Sequence, residues 1–379
     1  MKQGFAVCAL AALGTAPLAL AEPNPEYIES RHGAVSMPSQ PIAVEGGITA
    51  VLQVPDDKHI NTELVSSFDL VTTLPAGGGK WVIYVEGNTS PRTNGVSNLL
   101  GEANADAGSA LDRDGKGRLQ VSELHYFHSY RGGLLVAGLV DVTTSLDGSE
   151  VANDETSQFL NSHLVNNPTI DFPDYSLGVV YNREKDQGRG YSLVLTSSHG
   201  LADNPNASYA QLVDIGAHGK GVFAAAEAQW PRASLQLRAG AWVNTADHSR
   251  LNGRPGTEQN YGLYLAIDGQ LETGPWNLRA GLANDAVSQA SHFLAAALEH
   301  PLNDATLGLG IAYTGLSDQD VTPQQDDMLV AEGYLRFAIR DDMRVTPSVQ
   351  WLNNSGFDAS GNPLNAEQIL ASLRFNYIF

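Results

Sequence analysis

Five arginines, Arg238, Arg279, Arg336, Arg340 and Arg374, sit in segments whose alternate positions are aliphatic or aromatic, and Trp242 and Tyr334 share their side of those segments. A guanidinium carries fixed N–H donors and an indole or phenol ring carries a flat apolar face, so the set is suited to holding hydroxyl-rich or anionic small solutes in passage. It does not break bonds by itself. Serine and histidine come close at Ser197-Ser198-His199 and between His125 and Ser129, but no nucleophile elbow, metal-spaced histidine pair or phosphate loop accompanies them. Catalysis is therefore not expected. The run from Asp112 to Glu123 has calcium-loop spacing, with Asp112, Asp114 and Glu123 at the acidic positions and Gly117 at the turn. Lys116 stands where an oxygen ligand belongs, and no helical pattern flanks the run, so it reads as an ordinary acidic hairpin loop. No cofactor is expected, with calcium the weak candidate.

The elements that carry these residues have a period of two. Ile369, Ala371, Leu373, Phe375, Tyr377 and Phe379 alternate with Ser372, Arg374 and Asn376. Leu235, Leu237, Ala239, Ala241 and Val243 alternate with Gln236, Arg238, Gly240 and Trp242. Leu329, Ala331, Gly333, Leu335, Phe337 and Ile339 oppose Glu332, Tyr334, Arg336 and Arg340, and Trp276, Leu278, Ala280 and Leu282 oppose Asn277, Arg279 and Gly281. Strands of ~10 residues, apolar on one face and polar on the other, are what a tilted strand needs when one face meets lipid and the other an aqueous lumen. About sixteen such segments are found, near 46–54, 62–74, 80–88, 118–131, 133–141, 175–183, 189–197, 221–230, 233–244, 260–269, 275–284, 291–300, 304–314, 328–340, 344–352 and 368–379. The count is even, as a bacterial barrel with both ends in the periplasm requires, and a barrel of this size keeps a water-filled interior.

The start of the chain agrees. Lys2 precedes an apolar run ending in Ala19-Leu20-Ala21, which reads as a signal peptide over residues 1–21. Cys8, the only cysteine, lies in it, so the mature chain is expected to be thiol-free. Residues 22–45, with Pro23, Pro25, Pro38 and Pro41, read as an N-terminal periplasmic arm, and 46–379 as an all-β transmembrane antiparallel β-barrel. Forty-two acidic against twenty-two basic side chains, a net charge of −20, argue against a nucleic-acid partner. A soluble sandwich or propeller would leave the leader and the terminal aromatic unexplained.

Short turns are expected at Gly132-Gly133, Trp230-Pro231-Arg232 and Arg340-Asp341-Asp342 on the periplasmic side, and long loops outside at 89–117, 142–174, 198–220, 245–259 and 315–327. The two longest are candidates for folding into the lumen to narrow it. Surface tags at 104–110 or 203–207 are expected to be reachable. The phase of strand four is ambiguous, because Leu119 and Val121 share parity with Glu123, His125 and Arg131, unless a bulge shifts it.

One stretch carries a family likeness. Val151-Ala152-Asn153-Asp154-Glu155 followed by Gln158-Phe159-Leu160, then Asn166-Asn167-Pro168-Thr169-Ile170-Asp171-Phe172-Pro173, resembles a segment of the OprB-like carbohydrate-selective porins. Gly95-Val96-Ser97-Asn98, Glu123-Leu124 and Gly138-Leu139-Val140-Asp141 match the order of that family's shorter motifs. Leu139 stands where the family usually has lysine. The resemblance implies a sixteen-stranded outer-membrane porin admitting small polar solutes such as sugars. It brings Asp141, Asn153, Asp154 and Glu155 into the set of pore-lining candidates and points Glu123 into the lumen, with His125 and Arg131 beside it. Phe379, closing the outward face of the last segment, resembles the C-terminal signal of outer-membrane barrels read by the barrel assembly machinery. The implied surroundings are outer-membrane lipid and small sugars, with the chain a monomer or a homotrimer. A plugged structural or adhesive barrel, or a porin for small organic anions, are the alternatives.

Overall fold

The computed structural model describes residues 42–185, 188–204, 206–215, 220–321, 327–353 and 364–379. The expected signal peptide and nearly all of the expected arm lie outside them. The strands are β1 Ala43–Pro55, β2 Glu63–Ala76, β3 Gly79–Asn88, β4 Leu119–Tyr130, β5 Gly133–Val140 and β6 Ser176–Lys185. Next come β7 Arg189–Ser197, β8 Val222–Arg232, β9 Leu235–Ser249, β10 Thr257–Leu271 and β11 Gly274–Ala283. The last are β12 Ala290–Pro301, β13 Ala305–Leu316, β14 Met328–Arg340, β15 Met343–Asn353 and β16 Glu367–Ile378. Each pairs antiparallel with its neighbours in sequence, and β16 pairs with β1, closing a barrel of sixteen strands among the described residues. Closure leaves no sheet edge, which is the condition for placing strands in hydrocarbon.

The alternation in the sequence is the alternation of the wall. Leu263, Leu265, Leu278, Leu282, Leu294, Leu309, Ile311, Val349, Ile369 and Leu373 are exposed on the outer surface. Gln53, Asp69, Glu227, Asn277, Glu332, Gln350 and Ser372 are buried inside. Strand ends need small corrections. The arm's last residues, from Ala43, already belong to β1, and β9 and β10 run further than expected, shrinking the loop between them to 250–256.

Two turns fall a residue or two from their expected places. The β4–β5 turn is Arg131-Gly132, both with positive φ (50° and 76°), the combination a two-residue type I′ hairpin demands. Arg131 is thereby removed from the lumen face: it lies in the turn with its guanidinium 5.2 Å from the Tyr130 ring centroid. β8 runs through Pro231 and turns at Ala233 (φ 55°).

A register shift opposite Tyr84 and Val85 settles the phase of β4. The extra residue, Ser122, lets Gln120 and Ser122 point inward on one side of the bulge and Glu123, His125 and Phe127 on the other, while Leu119 and Leu124 face out.

The interior is not lined by polar groups alone. Val96, Leu100 and Ala103, from the loop after β3, pack on Val330, Leu352 and Leu370 of the wall. Val142, Leu146 and Ile170, from the loop after β5, pack on Phe127, Val180, Phe223, Trp242 and Tyr264. Further along that loop, Val151, Phe159, Leu164 and Val165 pack on Phe293, Ala295, Ala312 and Tyr334. Inward-facing apolar residues on the strands are there to receive loops.

Candidate functional site: a loop-crossed lumen

The segment 141–175 leaves β5, crosses the barrel and returns to β6. On the outward half, Asp147 N–H donates to Glu227 of β8 (2.8 Å) and Glu150 N–H to Asp268 of β10 (3.2 Å). At the far wall, the amides of Leu160 and Asn161 donate to the Glu332 carboxylate of β14 (2.9 Å each), and the Asn161 side chain donates to Gln350 of β15 (3.2 Å). Returning, His163 shares a hydrogen bond with Thr314 of β13 (2.9 Å), and Asp171 accepts from Asn244 and pairs with His248 of β9 (2.9 Å each). Glycines on the wall make room: a Cβ on Gly281 would lie 2.0 Å from Thr169 Oγ1, and one on Gly310 2.8 Å from the Phe159 ring.

The arginines hold this loop. Arg374 donates to the carbonyls of Glu155 and Gln158 (2.5 and 2.7 Å), and Arg336 donates to Ser157 O and pairs with Glu299 (2.9 Å). Arg279 donates to Leu164 O and Val165 O and pairs with Asp147 (3.2 Å), while Arg238 pairs with Asp268 of the neighbouring strand. The expectation of arginines facing open water is corrected for Arg238, Arg279 and Arg374, which are buried at 8%, 1% and 1% exposure. Arg340 lies at the end of β14, exposed, and pairs with Asp342 in the turn (2.8 Å), so it lines no constriction. Trp242 and Tyr334 do point inward, but both are covered. Trp242 stacks on Phe223, and Tyr334 packs edge-on against Phe159 (5.1 Å) and donates to Glu299.

The residues marked by the family likeness come together on the β3–β6 side and along the loop. Glu123 and His125 are buried neighbours on β4, with His125 Nδ1 3.4 Å from Glu123 Oε2. Asp141 begins the loop and accepts from Thr143 N–H and Oγ1–H. Asp154 closes a turn by accepting from Thr156 and Ser157, and Glu155 is fully buried. Asn153 is half-buried, and its side chain has no hydrogen-bond partner among the described residues. Asp112 is separated from Glu123. Its Oδ1 accepts from the amides of Asp114 and Lys116, Asp114 lies exposed against Arg113, and Glu123 is inside the barrel. The three acids are thus not brought together, and no group of His, Cys, Asp and Glu arranged to hold a metal occurs among the described residues.

Sequence reading put Glu332 on the inward face with Arg336 without giving it a role, and it missed Asp268 and Glu227. It also put 104–110 within reach of a surface tag. Asn104, Ala105, Asp106, Ser109 and Ala110 are buried, with Asp106 accepting from Ser67 Oγ–H (2.7 Å) and Ala105 N–H donating to Leu160 O (2.8 Å). The exposed tip of that loop is 113–116.

Burial pushes the Asp106 carboxyl up to about 7, offset in part by the Ser67 hydroxyl. A raised carboxyl pKa means stability that is complete at acid pH and is lost as pH climbs through about 7. Asp106→Asn, which keeps an acceptor for Ser67 and cannot ionise, should therefore raise the unfolding temperature at pH 8 and leave it nearly unchanged at pH 4, by roughly 2–4 °C for each kcal/mol recovered. Unfolding followed by tryptophan fluorescence at the two pH values measures it. An equal gain at both would sink the assignment.

The comparisons with known proteins agree with this architecture. The barrel superposes on the high-pH structure of Pseudomonas putida OprB with a TM-score of 0.68 at 13% identity, covering 89% of this chain and 94% of that one. A triple mutant of Rhodopseudomonas blastica porin aligns with a TM-score of 0.54 at 12% identity, over 89% and 100% of the two chains. An uncharacterized protein of Aquifex aeolicus (strain VF5) is 32% identical over 111 residues, 27% of this chain, and the match spans 36% of that relative's length. The family model described as "Carbohydrate-selective porin, OprB family" matches residues 87–379, which takes in both lumen loops and all but the first strands of the barrel, and the chain belongs to that family.

Proposed function

We propose that this protein is an outer-membrane channel for passive diffusion of sugars and similar neutral polyols, with the 141–175 loop forming its constriction. The observation that carries this is how the charges in the lumen are used. The guanidinium groups of Arg238, Arg279, Arg336 and Arg374 are engaged by acids and loop carbonyls. Beside the acids Glu150 and Asp171, what the loop leaves half-exposed is mostly neutral and hydrogen-bonding, including Ser149, Asn153, Thr156, Ser157, Gln158 and Asn166, with no basic side chain among them. Hydroxyl and amide groups match a polyol's own donors and acceptors and offer a small anion no net positive charge. The aromatic belt fits the same setting. Trp81 and Tyr126 lie together at one rim (5.4 Å), and Tyr377 and Phe379 at the same rim (6.0 Å), where interfacial aromatics anchor a barrel in lipid. Phe379 also exchanges backbone hydrogen bonds with Gly46 of β1 (2.9 Å each way), which supports its role in assembly, including recognition by the barrel assembly machinery.

The packing of two loops inside the barrel favours the plugged-barrel alternative, and conductance separates the two readings. In a planar bilayer the protein should open ion-conducting channels whose current neutral sugars reduce. Liposome swelling should be faster with neutral sugars than with organic anions of equal size. Asn153→Ala should weaken sugar block by about 2–10-fold, the worth of one hydrogen bond. No openings would establish a plug, and faster swelling with anions would overturn the sugar reading.

A further inference from the structure

The loop's farthest segment, 155–161, is gripped by its main chain from two adjoining parts of the wall. Glu332 accepts the consecutive amides of Leu160 and Asn161, the arrangement in which backbone N–H groups cradle an anion. Arg374, two strands away on β16, donates to the carbonyls of Glu155 and Gln158, and Arg336, one inward position along β14 from Tyr334, donates to Ser157 O. We propose that Glu332 and Arg374 are a matched pair of positioning residues that set the bore of the channel by clasping the backbone of this segment.

Three features support a pair over two independent contacts. Segment 155–161 is the part of the loop most remote along the chain from both stems, so a grip here governs where the whole crossing lies. The bonds made by Glu332 and Arg374 use only main-chain groups of the loop, and the side chain of Asn153, just before the segment, stays half-exposed. Both wall residues are buried (3% and 1% exposed), and each is satisfied by main-chain groups of the same short segment, so removing either loosens the segment on which the other's bonds depend. The two are therefore expected to be energetically coupled through the segment they hold.

The proposal rests on the reading that this loop is the constriction, and the experiment separates the two. The thiol-free mature chain allows a single reporter, Asn153→Cys, modified by charged thiol reagents while current is recorded. Modification should reduce the current if the loop lines the passage. In that background, Glu332→Ala and Arg374→Ala should each raise conductance roughly twofold and admit larger neutral polymers, as expected when a constriction relaxes. Glu332→Gln, which keeps one acceptor, should fall between parent and Glu332→Ala. The double variant should change less than the product of the single changes.

Heat-resistant migration in detergent gels identifies folded protein, and if Glu332→Ala fails to fold, Glu332→Gln and Arg374→Ala carry the test. Folded variants with parental conductance and polymer cut-off, or strictly multiplicative effects, would overturn the clasp while leaving the channel reading intact. No change in current on modifying Asn153→Cys would remove the constriction reading, and the clasp with it.

Discussion

Arginine in place of Leu265, which lies near the middle of β10 and faces outward, should destabilise the barrel by about 2–4 kcal/mol, whereas arginine at Leu237, close to the β8–β9 turn, should cost about 0–1 kcal/mol. The difference comes from depth. A guanidinium at the centre of the hydrocarbon cannot reach water, whereas one near a rim can extend into the headgroups. Urea unfolding in phospholipid vesicles, followed by tryptophan emission, gives both values. Equal costs at the two sites would mean that the outer surface is not a lipid face. Removing an arginine from the inside is a different perturbation, since Arg279 and Arg374 are buried fasteners, and their loss is expected to show in the pore as well as in stability.

The second large effect is expected at Gly281. Its absent side chain is the space into which the returning half of the crossing loop fits, with Thr169 Oγ1 and Asn167 Oδ1 occupying the volume of a Cβ and its first substituents. Thr169 is bonded to Asn167 (2.6 Å) and both are buried, so neither side chain can swing away without carrying the backbone with it. Gly281→Leu should lift this part of the loop from β11, raise single-channel conductance at least roughly twofold and abolish sugar block, at a stability cost of about 1–3 kcal/mol from overpacking. Gly281→Ala should show the same changes to a smaller degree. A leucine variant that conducts and binds sugar as the parent does would show that the loop does not rest on this strand during conduction.

The wall was legible because its physics is local. A period of two with apolar residues on one face, as in Ile369 to Phe379, specifies a strand, its register and its lipid side at once, and the sixteen segments read from the chain coincide with the sixteen strands to within a few residues. Positive φ at Arg131 was not legible, since only its neighbour Gly132 carries a turn signal, and arginine seldom adopts that conformation.

The site was legible in part. Parity placed Arg238, Arg279, Arg336, Arg374, Trp242 and Tyr334 on the inside, and the family likeness marked the loop from Val151 to Pro173. What they do there depends on contacts between residues far apart in sequence, such as Arg374 with Glu155, and no periodicity encodes those. Phe223 and Phe293, apolar residues on the inward face, are the trace of the loops in the strand pattern, and they look like faults in the alternation until their partners are known.

The seam between β1 and β16 bears on how the molecule is made. Every other strand pair joins neighbours in sequence, most of them across short connections, and even the long loops after β3 and β5 add little to the cost of closure because it grows only slowly with loop length. The seam pairs Gly47 with Ile378 and Pro55 with Leu370, so it must wait until the last strand has been delivered to the first. Until then the growing sheet has two open edges, each a row of unpaired amides and carbonyls able to recruit another chain as readily as its own end. The reciprocal bonds between Gly46 and Phe379 are the final stitch of that seam. Closure is thus the slow and vulnerable event of biogenesis, and the half-closed sheet is the species from which intermolecular strand pairing and aggregation would begin.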